Sequence, residues 1–311
     1  MKRLILMYAC LLCLLIIPAL NPVPFVAQAE DRSSINFPDL VLEQAIRNAT
    51  GKNEGVIYKG DLTGLVELRI EANEVDHKKN INSLAGLEYC TSLKFLDVSG
   101  HEIKDISPLA SLANLEELRI QSNHIQDISV LSRLSSLKIL YLGPNSLCSC
   151  GNANKIRDYS PIRGLVNLIE LDLSGCKIDD LELISGMKDL EKLRLMESGI
   201  TNIDVLKGLK KLKEFELNLN WIKDLSPLAD LKNLEVLELA YSFSPGDLYH
   251  IAGLTRMKRL VIAGDERVDL VVISEMKDLE VLIASNKEVL NLQVISGLKC
   301  PASVGNGERL R

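Results

Sequence analysis

The chain has 311 residues, of which 47% are hydrophobic, only 4% aromatic and 25% charged, and its formal net charge is −6. An acidic balance without a basic run or an Arg/Lys stripe excludes the electrostatic footprint of a nucleic-acid binder, so no nucleic acid is expected as a partner. A core rich in leucine and isoleucine, with few rings, suits stacked copies of one aliphatic layer.

The first element is a targeting segment. Lys2 and Arg3 precede an unbroken apolar run of fourteen residues, Leu4 to Ile17. Pro18 breaks the run, and Ala27-Gln28-Ala29 makes a small-x-small cleavage pattern. The run is short for a bilayer span, so residues 1–29 read as a cleaved secretory signal peptide. The expected destination is secretion or the cell surface, with no membrane span in the mature chain. Loss of Lys2 and Arg3 takes the formal charge from −6 to −8. Cys90, Cys148, Cys150, Cys176 and Cys300 remain, an odd set at irregular spacing that is not a disulfide framework.

Residues 30–64 are expected to form an N-terminal helical cap region. In PDLVLEQAIRNATG, Pro38 and Asp39 open a helix and Gly51 closes it. Leu42, Ala45, Ile46 and Ala49 lie on one face, which would seal the first coil of a repeat array beginning at Leu65.

From residue 65 to 300 one phrase recurs, L-x-x-L-x-L-x-x-N-x-I-x-D-I-S-P-L, in copies such as LKFLDVSGHEIKDISPL from Leu93 and LKEFELNLNWIKDLSPL from Leu212. The first apolar residues are Leu65, Leu93, Leu115, Leu137, Leu168, Leu190, Leu212, Leu234, Met257 and Leu279, which makes about ten coils, most of them 22 residues apart. Leu234 to Met257 is 23, with the extra residue near Ser244-Pro245-Gly246. Leu137 to Leu168 is 31, a nine-residue insertion within 146–157, and six extra residues follow Val75. The L-x-L part alternates like a short strand whose leucines point inward. Asn73, Asn123, Asn145 and Asn220 stand ninth in the best copies, where an inward amide can bond backbone groups that the turn leaves unpaired. His101, Cys176, Ser198, Ser242 and Asp265 stand there in other copies and promise less rigid turns. The Asp-x-Ser-Pro stretch suits a short capped helical turn with Pro108, Pro161 and Pro227 at its first position. The expected architecture is an α/β solenoid, a horseshoe with a parallel inner sheet and short helical turns on the convex side. Residues 301–311 read as a short tail, with a C-terminal cap absent.

The D-I-S-P-L phrase, the FPDLVLEQAI cap and the GLEYCTSLKFLDVSG junction resemble the internalin-type leucine-rich repeat proteins of Gram-positive bacteria over about residues 35–298. The resemblance implies a secreted or surface-displayed module whose concave face grips a protein. The immunoglobulin-like domain that often follows such arrays, an L-P-x-T-G sorting signal and wall-binding repeats are not seen in this sequence.

On the concave face the outward positions carry an acidic lane, Glu170, Asp172, Glu214, Glu216 and Glu238, broken by Lys192 and Arg194. Phe95 and Tyr141 punctuate it as candidate anchors, with Trp221 and Tyr241 near the strand ends of adjacent copies. Singly these residues also read as solvated surface; together they read as an interface. Cys148, Cys150, Cys176 and His124 could approach one another across coils. Cys176 holds an inward position and C-x-C is not a usual zinc pair, so a local disulfide or free thiols is preferred and no metal is expected. No H-E-x-x-H, G-x-S-x-G, G-x-G-x-x-G or phosphate loop occurs, so no enzyme and no cofactor are expected. The reading is an exported, non-enzymatic module that binds a protein ligand through its concave face. The alternatives are a carbohydrate or cell-wall ligand, or a truncated repeat part of a larger surface protein.

Overall fold

The structure, a computed structural model, describes residues 33–73, 76, 80–144, 154–298, 302–304 and 309–310. The leader assigned to residues 1–29 lies outside them, as do Asn145, Cys148, Cys150 and Cys300.

The cap is built from local signals. Helix α1 spans Leu40–Thr50, and Asp39 Oδ1 accepts from the Val41 and Leu42 N–H groups at 3.0 and 3.1 Å. Gly51 ends it in the left-handed region at φ 72°. Leu42 and Ile46 are buried, Ala45 is partly so, and Ala49 faces solvent. The other Asp39 oxygen accepts from Asn82 and Ser83, so one carboxylate both caps the helix and ties it to the first coil.

The strands follow in chain order: β1 (Glu67–Arg69), β2 (Phe95–Asp97), β3 (Glu117–Arg119), β4 (Ile139–Tyr141), β5 (Glu170–Asp172), β6 (Lys192–Arg194), β7 (Glu214–Glu216), β8 (Val236–Glu238) and β9 (Arg259–Val261). Next come β10 (Gly264–Asp269), β11 (Val281–Ala284) and β12 (Asn286–Leu290). β1 to β9 and β11 form one continuous parallel sheet. The middle residue of each short strand is inward and buried, from Leu68 and Leu96 to Leu237 and Leu260. Register survives the insertions: Ile139 opposes Glu170, just as Phe95 opposes Glu117. The strands on either side of both insertions therefore keep the same register. Each leucine is buried by the coils on either side, so the array is stable only as a stack.

On the return path the chain makes short 3₁₀ turns, such as Ser107–Ser111, Ser160–Gly164 and Ser226–Asp230. Asp105, Asp158 and Asp224 each accept from the N–H two residues on, at 2.7–2.8 Å. Ser therefore occupies the first helical position, and the prolines stand second rather than first.

Two features exceed the repeat reading. β10 and β12 pair in a separate parallel sheet on the turn side of the last coils, with an irregularity between Gly264 and Arg267. Within the stretch read as a tail, β13 (Ala302–Val304) adds parallel to β11, and β14 (Arg309–Leu310) pairs antiparallel with β13.

Candidate binding surface

The outward residues of the concave sheet do not stand alone. Arg69, Phe95, Arg119, Tyr141 and Arg194 form a staircase in which guanidinium groups and rings alternate. Arg69 lies 5.0 Å from the Phe95 ring centre; Arg119 lies 6.0 Å from Phe95 and 4.7 Å from Tyr141; Arg194 lies 5.8 Å from Tyr141. Acids hold the guanidinium groups in place: Asp97 at 3.7 Å from Arg69, Glu117 at 2.6 Å from Arg119, and both Glu170 and Glu216 on Arg194 at 2.7 and 3.0 Å.

Tyr141 donates its hydroxyl to Glu170 at 2.6 Å. Burial, then the bond to Glu170, pushes its phenol pKa up to about 12. Burial disfavours the Glu170 carboxylate, but the bonds from Tyr141 and Arg194 prevail and hold it below its ordinary range. Glu216 goes the other way: burial raises it, and Arg194 only partly opposes that. Arg194, a base that the sequence reading took as an interruption, thus joins two acids of the lane, Glu170 and Glu216. Lys192 pairs with Glu214 at 3.0 Å, and Glu238 takes Asn218 and Arg259, both at 2.9 Å. Asp172 accepts from the Ser174 N–H at 2.9 Å. From β8 onward apolar residues take the outward positions: Val236, Val281 and Ile283 are half-buried and Val261 is buried.

Trp221 and Tyr241 lie beyond their strands, on the turn flank rather than on the concave sheet. Trp221 is 81% exposed and Tyr241 53%, with Leu219 beside them at 42%. Leu219 and Tyr241 hold φ of 58° and 53°, at the same turn position that Gly100 and Gly175 fill in other coils. Bulky side chains in that region cost about 1–2 kcal/mol each.

Beneath the turns runs a ladder of inward polar groups. Asn123 Oδ1 accepts from the Ile103 N–H at 3.1 Å, and its amide donates to Val98, Ile120 and Gln121 carbonyls. Asn220 repeats this with Ile200, Leu195, Leu217 and Asn218. In the coil with the insertion these bonds belong to Asn154, which accepts from Ile125 and donates to Ile120 and Leu142. The ladder role expected of Asn145 thus falls to the asparagine nine residues later, because the insertion precedes the ladder position instead of coming after it. In the first coil Asn80 is the buried asparagine, and it accepts from the N–H of the half-buried Asn73 at 2.6 Å.

His101 reproduces the asparagine with its two ring nitrogens: Nδ1 accepts from Ile81 at 3.2 Å and Nε2 donates to the Ile70 carbonyl at 3.0 Å. Ser198 and Ser242 donate to Leu173 and Leu217, and their own carbonyls receive the N–H groups of Ile178 and Ile222. These side chains thus keep hydrogen bonds to the neighbouring coil at the ladder position. Asp265 departs from the ladder and is exposed, since its segment is recruited into β10. Cys176 is buried, and burial pushes its thiol up to about 12. His124 Nε2 is bound to Glu102 at 2.6 Å. Among the described residues no group of three metal-ligating side chains converges.

A further pattern passed unread in the sequence. The second position of successive coils alternates in charge: Lys94, Glu116 and Lys138, then, after Ile169, Glu191, Lys213, Glu235 and Lys258. Neighbours pair at 2.5–3.1 Å. These exposed pairs link neighbouring coils and, screened by solvent, contribute little to stability.

Residues 166–208 match a family model described as leucine rich repeats (2 copies), and residues 89–106 and 111–132 match one described as leucine rich repeat. Comparison with curated protein sequences gives no match. Solved structures share the fold. An internalin of Listeria monocytogenes is 25% identical with a TM-score of 0.58, covering 87% of this chain and 90% of its own. A leucine-rich repeat protein of Leptospira interrogans is 24% identical with a TM-score of 0.57, covering 78% of this chain and 68% of its own. A plant peptide hormone receptor solved in complex with RGF2 is 16% identical with a TM-score of 0.53, covering 74% of this chain and 37% of its own. Among the described residues no helix is long and apolar enough to cross a membrane.

Proposed function

The chain carries internalin-type leucine-rich repeats, and from that premise we propose that it is an exported, non-enzymatic module whose concave face binds a protein ligand. The observation that carries this reading is the Arg69–Phe95–Arg119–Tyr141–Arg194 staircase. Arginine and tyrosine dominate interface hot spots, and side chains already held by neighbours lose little further freedom when a partner docks. Arg69 and Arg119 use few of their donors within the network, which leaves guanidinium N–H groups facing outward for partner carboxylates or carbonyls. Export is supported by the leader pattern of Lys2, Arg3, Leu4 to Ile17 and Ala27-Gln28-Ala29. The same fold in a receptor that takes a peptide hormone is a fold-level analogy for a peptide or protein ligand.

The test is selection of binders from a displayed peptide and protein-domain library against the intact array. Arg119→Glu should weaken the selected interactions at least tenfold, while Asp189→Lys on the opposite edge should leave them within twofold. Binders indifferent to Arg119→Glu and to Tyr141→Ala would remove the concave face from the function.

A further inference from the structure

The coil that begins at Leu234 is one residue longer than its neighbours, and this opens a groove on the turn flank. In the two coils after it, the ascending segments pair with each other as β10 and β12. The preceding coil cannot join them. Its equivalent stretch holds Pro245, which has no N–H to offer, and enters a seven-residue 3₁₀ turn, Pro245–Ile251, at that point. The edge of β10 that faces this coil is therefore unpaired among the described residues.

Beside that edge lies a cavity of about 510 Å³, with Gly264 and Asp265 of β10 on one wall and Trp221, Tyr241 and Phe243 on the other. Tyr241 keeps the positive φ that Ser122, Glu197 and Leu219 show at the same turn position of other coils. Two charges stand at opposite sides of the cavity: Lys223 on the earlier coil and Asp265 on β10. Neither forms an ion pair among the described residues.

We propose that this groove docks an extended segment of a protein partner by strand addition to β10. A bulky apolar side chain of the segment enters between Trp221 and Tyr241. Flanking residues of opposite sign meet Lys223 and Asp265, so the groove selects a dipolar segment, acid on one side of the apolar residue and base on the other. Backbone pairing supplies affinity and the pocket supplies selectivity, the division of labour in edge-strand recognition. The site lies off the concave sheet and does not depend on what that sheet binds.

Trp221 is the chain's single tryptophan, so its emission reports this groove and no other surface. The probes are acetyl-Asp-Val-Phe-Val-Lys-amide and its charge-reversed partner acetyl-Lys-Val-Phe-Val-Asp-amide, which cover both chain directions. One of the two should move Trp221 emission to shorter wavelength along a saturable curve. Replacing both flanking charges by serine should weaken binding about fivefold, and methylating the peptide nitrogens should abolish it. Tyr241→Ala and Asp265→Ala should each weaken the charged peptide while leaving the melting temperature within a few degrees. The proposal is overturned if neither peptide gives a saturable shift at millimolar concentration, or if the N-methylated peptide binds equally. It is also overturned if chito-oligosaccharides shift the emission and the peptides do not.

Discussion

Arg194 donates to Glu170 at 2.7 Å across the gap between adjacent strands, and through its Nε reaches Glu216 on the other side at 3.0 Å. A single guanidinium thus neutralises acids on both neighbouring coils and is held well above its ordinary pKa by them, although burial opposes it. Arg194→Ala strands two half-buried carboxylates and should cost about 2 kcal/mol or more. Urea unfolding at neutral pH measures it; Arg194→Lys, which cannot span both acids, should fall between the two. An Ala variant as stable as the parent would refute the central place given to this residue.

The insertion makes a contrast between two asparagines. Asn154 carries three ladder bonds, so Asn154→Ala should destabilise the array by about 1–3 kcal/mol. Asn145→Ala should stay within about 0.5 kcal/mol of the parent. Denaturant midpoints for the pair decide it, and the reverse order would place the inserted residues on the other side of the ladder.

His101 should make the stack sensitive to mild acid. Burial, opposed by its bond to Ile70 and by the nearby Asp39, Asp97 and Glu102, lowers its pKa below the ordinary 6.5. The unfolded chain therefore takes up a proton before the folded one does. Stability from this residue is complete above pH 6.5 and is lost as pH falls through the window between that value and the lower folded one. His101→Asn, which can repeat the Asn123 bonds, should flatten the stability profile between neutral pH and pH 5. Thermal melts across that range check it; parallel profiles for parent and variant would sink the assignment.

Gly143 tests how closely two coils approach. A Cβ there would lie 2.0 Å from the Ser174 carbonyl oxygen, backbone that cannot swing aside. Gly143→Ala should cost about 1–3 kcal/mol through overpacking. Gly164, with open space around its Cβ position, is the control and should change little when replaced by alanine. Equal melting temperatures for the two variants would count against the close approach.

The sequence by itself determined the coil. Period, inward leucines, helical cap and parallel register all stem from local spacing, and the structure keeps them because each leucine has only one way to reach apolar neighbours. Even the 31-residue coil was countable, but Asn145 and Asn154 are nine residues apart, so the two placements of a nine-residue insertion look the same in a string of letters. The acidic lane was legible as composition; that Arg194 joins Glu170 to Glu216 was not, because those partners are separated by 22 and 24 residues and meet only after stacking. Tertiary structure alone decided which asparagine lies beneath the turn, which acids share a base, and that β10 finds a strand partner only in β12. Periodicity specifies where a side chain sits within its own coil, whereas its partners come from neighbouring coils, and those are brought together by packing.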